Sequence, residues 1–347
     1  MKTQSVRRRE EEEDDDGSEI TVDRLSQLPQ PILHNILSLL YQKDAVRTSV
    51  LSKSWRYLWH GRLNVEFHDF VICHDIKKEF WSFLDKTLQR YLDQNLPLQK
   101  FRVDIPSVAD FALLQKWIPI VIMNMGVKSL NLSFNGKDFP LPLVVFQSES
   151  LVELHLQWLN LSTLKYTDNV MLNNLQTLHL QQLVITDEVF EKIMSGCPLI
   201  ENLYLLFCTG LKSIKLHKHH NIKSFGYSAV DKIIIEIEDP HTLESFHFRN
   251  CCSDCFFPYK NMNFLRLKSL DLYKVQFPAE TFENFSSFFP CLNELILWSC
   301  HGLKEFRLLS SSIKRLTIKI DRMNPGKMMK AFIDTPNCNT PKSFFIF

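Results

Sequence analysis

A cluster of histidine and cysteine side chains is the part of this sequence that comes closest to a chemical site. It consists of His247, Cys251, Cys252 and Cys255. Three further histidines stand at positions 217, 219 and 220. Zinc sites use Cys and His at short spacings of this kind, so a metal site is one interpretation of the cluster.

A structural role explains most of the thiols better than metal binding does. Cys208, Cys251 and Cys300 each occupy the ninth position of a sequence repeat, where a leucine-rich repeat carries Asn or Cys toward its core. Cys197 and Cys291 stand at the equivalent entry to the following strand, shifted by about two residues relative to each other. We therefore expect these five to be reduced core thiols, and we expect neither a metal nor another cofactor.

The usual catalytic motifs are absent from the sequence. The chain has 9 glycines in 347 residues, and the closest pair, Gly126 and Gly136, is ten residues apart. This spacing excludes GxGxxG, GxxxxGK[ST] and GxSxG, and no His is followed by Glu, which excludes HExxH. Lys and Arg (40) balance Asp and Glu (39), so no strong basic field predicts binding to nucleic acid or an anionic membrane. No run of 18 apolar residues predicts a membrane span.

The sequence predicts that the chain is organised into four segments. Seven consecutive acids at Glu10–Asp16 follow three arginines, which is typical of a disordered charged tail. The segments are a tail at 1–19, a helical unit at 20–62, a linker with an amphipathic helix at 63–97, and a repeat region at 98–347.

The repeat region follows the template LxxLxL at intervals of 21 to 29 residues, the period of leucine-rich repeats. The ten repeats are Leu98-Phe101-Val103, Val127-Leu130-Leu132, Leu151-Leu154-Leu156, Leu175-Leu178-Leu180, Ile200-Leu203-Leu205, Ile222-Phe225-Tyr227, Leu243-Phe246-Phe248, Leu267-Leu270-Leu272, Leu292-Leu295-Leu297 and Ile313-Leu316-Ile318. Residues 175–216 also align without a gap on 267–308, with 15 of 42 positions identical. The template predicts one short parallel strand per repeat in a curved solenoid, an α/β architecture.

The helical unit resembles a known family. Asp23-Arg24-Leu25-Ser26-Gln27-Leu28-Pro29 with Ile32-Leu33 and Ile36-Leu37 is similar to the start of an F-box, and Lys43 to Lys53 with Trp55-Arg56-Tyr57-Leu58-Trp59 is similar to its second half. Together with the repeats, these residues resemble the plant F-box/LRR proteins. The resemblance implies a three-helix F-box followed by the leucine-rich-repeat solenoid.

The same resemblance implies a function. Such a protein is a non-catalytic substrate-recognition subunit of an SCF-type cullin ubiquitin ligase, located in the nucleus or cytoplasm. Its F-box binds the SKP-family adaptor, and through it a cullin, while its repeats bind a target protein. The adaptor contacts carried over are Leu28, Pro29, Ile32, Leu33, Ile36, Val50, Leu51 and Trp55. The alternative is a leucine-rich-repeat scaffold that is not coupled to ubiquitylation.

Target recognition is predicted on the sheet face that points away from the leucine core. Positions 5 and 7 of each repeat, counted from the leading template residue, lie on that face, because side chains alternate along a strand. His155, His179 and Tyr204 are predicted to form one row across adjacent strands, and Trp298 lies on the same surface further along. We expect these four residues to contact the target, since aromatic groups are favoured interface anchors.

Overall fold

A computed structural model of the chain describes most of its residues. The described residues are 27–40, 44, 47–48, 50–51, 55, 58, 61–68, 77–105, 110–136, 139–162, 164–165, 168–216, 220–229, 233–237, 240–250, 264–276, 285–300, 305–320, 330–338 and 343–346. The chain divides into two compact units, which meet in sequence between Arg62 and Leu63. The predicted charged tail lies outside the described residues.

The first unit contains helix α1, Gln30–Leu39, which begins directly after Pro29. Proline suits this position because its fixed φ favours the first helical turn. The carbonyl oxygen of Pro29 accepts hydrogen bonds from the amides of Ile32 (2.9 Å) and Leu33 (3.2 Å). Trp55 and Leu58 also have helical conformation, and the residues between and around them lie partly outside the described part of the chain.

The second unit is built on one parallel sheet of twelve strands, counted over the described residues. In spatial order these are β1 (Asn64–His68), β2 (Lys100–Ile105), β3 (Ser129–Gly136), β4 (Glu153–Leu159), β5 (Thr177–Gln181), β6 (Asn202–Leu206), β8 (Ser224–Ala229), β10 (Ser245–Asn250), β11 (Ser269–Tyr273), β12 (Glu294–Trp298), β14 (Arg315–Ile320) and β16 (Ser343–Ile346). The strands of this sheet therefore keep their chain order in space, with four further described strands lying outside it. This confirms the predicted leucine-rich-repeat solenoid.

Two shorter parallel pairs accompany the main sheet. Strand β7 (Ser213–Lys215) pairs with β9 (Ile234–Glu236), and β13 (Glu305–Leu309) pairs with β15 (Lys330–Asp334). Each pair lies within the connections between strands of the main sheet. The sequence analysis did not predict them.

The hydrophobic repeats determine the strand register. All thirty template side chains are buried, with at most 5% of their surface exposed, at Ile222. In each of the ten repeats, positions 4 and 6 point into the core from one strand. Each repeat buries these residues against its neighbours, which is how a solenoid obtains a continuous core.

The sheet extends beyond the ten predicted repeats at both ends. Strand β1 pairs with β2, with Val65 opposite Phe101 and Phe67 opposite Val103. It lies in the segment for which the sequence analysis predicted a linker, so the sheet begins before residue 98. Strand β16 pairs with β14 at the other end. The template was not recognisable in these strands because their apolar residues lack the leading leucine.

Helices on the connecting segments cover the other side of the core. They are α2 (Lys77–Asp93), α3 (Phe111–Met125), α4 (Asp187–Ser195) and α5 (Phe285–Phe288), with 3₁₀ turns at Leu143–Gln147 and Pro240–Thr242. Helix α3 begins at Asp110, whose carboxylate accepts from the amide of Leu113 (3.0 Å), and ends at Gly126 with φ +66°. These are the expected start and stop signals of a helix.

The buried indole of Trp117 joins α3 to α2. Its Nε1 donates to Asp85 Oδ1 (2.7 Å), which also accepts from Lys116 Nζ (2.9 Å). These two hydrogen bonds lower the pKa of Asp85. Helix α2 is the amphipathic helix that the sequence predicted within residues 63–97.

The described thiols hold structural positions, with one correction. Cys208 Sγ lies 3.4 Å from the carbonyl oxygen of Leu180, and Cys300 Sγ lies 3.5 Å from that of Leu272. Burial raises the pKa of Cys208 to about 11 and that of Cys197 to about 12. Cys291, in contrast, is exposed, so its assignment to the core was wrong. It follows Pro290 in a turn, where a side chain points to solvent.

Candidate functional site

The first unit has a small core of its own. Leu33, Leu37, Trp55 and Leu58 are buried together, and Leu28 and Ile36 pack against them. Arg62 fixes the end of α1, because its Nη2 donates to the carbonyl oxygens of Leu37 (3.0 Å) and Leu40 (2.9 Å). Both carbonyls lie at the helix end, where the i+4 backbone donors are missing. The Leu37 carbonyl also accepts from the amide of Leu40 (3.3 Å).

The predicted adaptor contacts separate into buried and exposed residues. Leu33 and Trp55 have only 2% and 3% of their surface exposed, so they belong to this core and are not surface contacts as placed. A helical stripe with i, i+3, i+4 spacing identifies an apolar face, but adjacent apolar residues such as Ile32 and Leu33 divide between core and surface. The sequence alone did not show which of the two points inward.

Among the described residues of the first unit, four large apolar side chains are exposed. They are Ile32 (46%), Leu39 (85%), Val50 (81%) and Leu51 (60%). Three of them were predicted as adaptor contacts, and Leu39 was missed. It lies seven residues after Ile32, on the same face of α1, and this spacing could have identified it. Exposed apolar groups so close together in sequence are typical of an interaction surface.

The open face of the sheet carries ordered rows of side chains from the second unit. The strand register aligns position 5 of the ten repeats, and this row reads Arg102, Asn131, His155, His179, Tyr204, Gly226, His247, Asp271, Ile296 and Thr317. Position 7 forms the neighbouring row: Asp104, Ser133, Gln157, Gln181, Leu206, Ser228, Arg249, Tyr273, Trp298 and Lys319. The predicted adjacency of His155, His179 and Tyr204 is therefore observed.

Three rings of the first row contact one another on β4, β5 and β6. The ring centroids of His155 and His179 are 5.1 Å apart, and those of His179 and Tyr204 are 5.5 Å apart. Burial, together with the nearby His155, lowers the pKa of His179 to about 4. Burial also lowers the pKa of His155 below its ordinary value. Both shifts favour the neutral imidazole, so this part of the face presents uncharged aromatic groups.

Tyr204 is held in place on the face rather than projecting freely from it. Its hydroxyl forms a 2.8 Å hydrogen bond with Ser224 Oγ, and either oxygen can donate. The ring crosses Gly226, where an added Cβ would lie 2.4 Å from Tyr204 Cδ1. Glycine at this position therefore makes room for the ring, and the sequence analysis gave no sign of this pairing.

A chain of side-chain amides lies beside these rings. Ser133 Oγ donates to Gln157 Oε1 (3.1 Å), and Gln157 Nε2 donates to Gln182 Oε1 (3.1 Å). Gln182 has a left-handed backbone with φ 51° just after β5. Over β3 to β6, rows 5 and 7 are thus uncharged and rich in hydrogen-bonding groups, whereas β2 contributes the ion pair of Arg102 and Asp104 (2.7 Å) to the same rows.

The second half of the open face is charged. Arg249 Nη2 donates to Asp271 Oδ2 (2.6 Å), and His247 Nδ1 lies 3.6 Å from the same oxygen. Burial opposes ionisation of Asp271, but the hydrogen bonds from His247 and Arg249 outweigh it and lower the pKa of this carboxyl. Ser245 Oγ holds the other imidazole nitrogen, Nε2, at 2.9 Å.

Aromatic and cationic side chains alternate next to this ion pair. The ring centroids of Tyr273 and Trp298 are 6.4 Å apart. Lys319 Nζ lies 3.8 Å from the Trp298 centroid, and Lys274 Nζ lies 5.4 Å from that of Tyr273. Both distances are within the range of cation–π attraction. The repeat pattern predicted the position of Trp298 but not its contact with Lys319, nor that of Tyr273 with Lys274. These contacts depend on the strand register and on the turn after β11.

Neither a metal centre nor a membrane segment emerges from the part of the chain that the structure describes. No group of three or more His, Cys, Asp or Glu residues is arranged there to hold a metal ion. Cys251, Cys252 and Cys255 lie outside the described residues. None of the described helices has the length and apolarity that crossing a bilayer requires.

Comparison with known proteins places both units in one family. The F-box domain family matches residues 25–65, which include α1 and the exposed apolar side chains. A second family, described as "FBD-associated F-box protein At5g56370, LRR repeats", matches residues 114–255. The chain belongs to the F-box/LRR-repeat proteins.

Individual F-box/LRR-repeat relatives come from Arabidopsis thaliana. F-box/LRR-repeat protein At3g59200 is 31% identical over 246 residues, which are 63% of this chain and 46% of the relative. Putative F-box/LRR-repeat protein At3g49150 is 31% identical over 260 residues, 70% of this chain and 40% of the relative. F-box/LRR-repeat protein At4g14103 is 36% identical over 191 residues, which are 53% of this chain and 49% of the relative. The matched part thus spans less than half the length of these relatives.

Proposed function

We propose that this F-box/LRR-repeat protein is the substrate-recognition subunit of an SCF-type cullin ubiquitin ligase. In this role the first unit binds the SKP-family adaptor and, through it, a cullin, while the repeats hold a target protein. The chain itself performs no transfer chemistry, which belongs to other subunits. Its place of action is the nucleus or cytoplasm, which a fluorescent fusion tests.

The observation that carries this proposal is the exposed apolar surface within the matched F-box domain. Val50 and Leu51 leave 81% and 60% of their surface in solvent, and Leu39 leaves 85%. Leaving such side chains exposed forgoes about 1.5–3 kcal/mol of burial each, which a bound partner recovers.

The open face of the repeats supports the second half of the proposal. Its side chains differ from strand to strand, whereas the core template is maintained in all ten repeats. The fold requires the template residues but not His155, His179, Tyr204 or Trp298. We therefore assign target contacts to these four residues, and adaptor contacts to the exposed members of the predicted F-box set.

Pull-down of purified adaptor and cullin by the full chain tests the proposal. We expect both to bind, and we expect Val50→Ser with Leu51→Ser to abolish their capture while the repeats stay folded. A matched control is Leu309→Ser, which removes a similarly exposed leucine (48%) from the second unit. If the wild-type chain captures neither protein, it is an interaction scaffold that is not coupled to ubiquitylation.

A further inference from the structure

The two halves of the open face carry different chemistry on equivalent backbones. An offset of 92 residues superimposes the registers of β4, β5 and β6 on those of β10, β11 and β12. The equivalence extends to detail, since Cys208 and Cys300 contact the equivalent carbonyls of Leu180 and Leu272. Gln182 and Lys274 share the same left-handed backbone, with φ 51° and 53°.

The side chains of the open face have nevertheless changed between these equivalent positions. Gln157 corresponds to Arg249, Gln181 to Tyr273, Gln182 to Lys274 and Leu206 to Trp298. Because the scaffold is the same, packing of the core cannot require the aromatic and cationic residues of the second half. The difference indicates that the second half is adapted to a ligand that the uncharged rows of β4 to β6 would not hold.

The charges in the second half identify the chemistry of that ligand. On the main sheet from β10 to β14, the described residues of rows 5 and 7 include two cations, Arg249 and Lys319, and one carboxylate. Lys274, directly after β11, adds a third cation. The carboxylate, Asp271, is already paired with Arg249, whose side chain remains 56% exposed. The exposed surface is therefore positive, in a chain whose net charge is only +1.

The aromatic pair lies between the cations. Tyr273 and Trp298 occupy adjacent strands, with Arg249 before them and Lys319 after them in the same row. Neighbouring strands are about 4.8 Å apart, so the four side chains extend over about 14 Å, the length of four or five extended residues. A peptide crossing the strands could place acidic groups at the cations and a ring at Trp298.

We propose that this second half of the open face binds an acidic peptide segment that contains an aromatic residue. The inference rests on the proposed function and specifies the class of target segment that the repeats recognise. Arg249, Lys274 and Lys319 attract its carboxylates, and Tyr273 and Trp298 hold its ring. Attraction of this kind directs specificity and is weakened by salt.

Fluorescence anisotropy of the full chain with labelled peptides tests this inference. The probe is a peptide of repeated Glu-Glu-Tyr, compared with Gln-Gln-Tyr and Glu-Glu-Ala peptides of the same length. We expect the first to bind about ten-fold more tightly than either control, and to lose affinity as salt is raised. Equal affinity for the Gln-Gln-Tyr peptide would overturn the assignment.

Variants taken from the chain's own first half locate the site. Tyr273→Gln, Lys274→Gln and Trp298→Leu together install the residues found at 181, 182 and 206, and should weaken Glu-Glu-Tyr binding about ten-fold or more. Lys319→Gln, which removes the charge of the partly buried lysine above the Trp298 ring, should weaken it about three-fold. Lys268→Gln, which removes the same charge from an ion pair with Glu244 outside rows 5 and 7, should leave it within about two-fold.

Unchanged peptide affinity in both the triple and the Lys319→Gln variants would refute the site. Tighter binding of a labelled single-stranded oligonucleotide than of the acidic peptide would refute the ligand class. Adaptor capture, measured on the same preparations, separates this inference from the proposed function. Loss of peptide binding with intact adaptor capture in the triple variant supports the acidic-peptide site. A wild-type chain that captures the adaptor but binds no acidic peptide contradicts this site and leaves the proposed function standing.

Discussion

The pairing of Tyr204 with Gly226 allows a sharp test of the open face as described. In Gly226→Ala, the new Cβ would lie 2.4 Å from Tyr204 Cδ1 and 3.1 Å from Cε1, and the third of its three nearest atoms is also in this ring. Ordinary contact begins near 3.4 Å, so the ring must move by about 1 Å. Because the side chain is half-buried, it can move, but it leaves its present partners.

The cost of that movement follows from the contacts that are lost. The 2.8 Å hydrogen bond between the Tyr204 hydroxyl and Ser224 contributes about 0.5–1.5 kcal/mol. The ring contact with His179, at 5.5 Å, contributes a similar amount. Alanine returns about 0.4–1 kcal/mol by restricting the unfolded chain. We expect Gly226→Ala to lower the free energy of unfolding by about 1–2 kcal/mol.

A double-mutant cycle with chemical denaturation measures this coupling. In a Tyr204→Ala background no ring opposes the Cβ, so Gly226→Ala should be neutral or slightly stabilising. The coupling energy between the two sites should then be about 1–3 kcal/mol. An equal cost of Gly226→Ala in both backgrounds would show that the ring does not lie over this glycine, and the geometry of the row would be wrong.

Three further predictions concern the F-box surface, a histidine and the thiols. Val50→Ser with Leu51→Ser should weaken adaptor binding by about 2–4 kcal/mol, roughly thirty-fold or more, with unchanged thermal unfolding; an unchanged Kd would argue against this surface. The folded-state pKa of His179 is about 4, below its unfolded value near 6.5. The unfolded chain therefore gains the proton first, and the free energy of unfolding should fall as the pH is lowered from 6.5 to 4. Chemical denaturation across this pH range would reveal the dependence, which His179→Gln should remove. At neutral pH a thiol reagent should modify exposed Cys291 rapidly and buried Cys197, whose pKa is about 12, only on unfolding; equal rates would contradict the described burial.

The repeat region was predictable from sequence because its driving force is local and periodic. Each LxxLxL segment identifies one strand, and the alternation within it decides which side chains enter the core. The rows of His155, His179 and Tyr204 followed from that register alone. Strands β1 and β16 and the two small parallel pairs were not predicted, since their pairing depends on neighbours distant in sequence rather than on a repeated pattern.

The side-chain details of the candidate site were predictable only in part. The sequence identified Trp298, but not the lysine over its ring, because such a contact joins residues in separate strands. It identified an apolar face at Ile32 and Leu33, but not which of them is buried. Which of two adjacent residues faces inward depends on the rotation of the helix about its axis. Packing against Trp55 and Leu58 decides that rotation.

Co-purification of the full chain with the SKP-family adaptor and a cullin tests the central claim most directly. Two variants should separate its two halves: Val50→Ser with Leu51→Ser on the F-box, and His155→Ala, Tyr204→Ala and Trp298→Ala on the open face. The account predicts that adaptor and cullin are recovered with wild type and with the open-face variant, in equal amounts, and are lost with the F-box variant. Recovery of neither protein with the wild-type chain, or equal recovery with both variants, would contradict it.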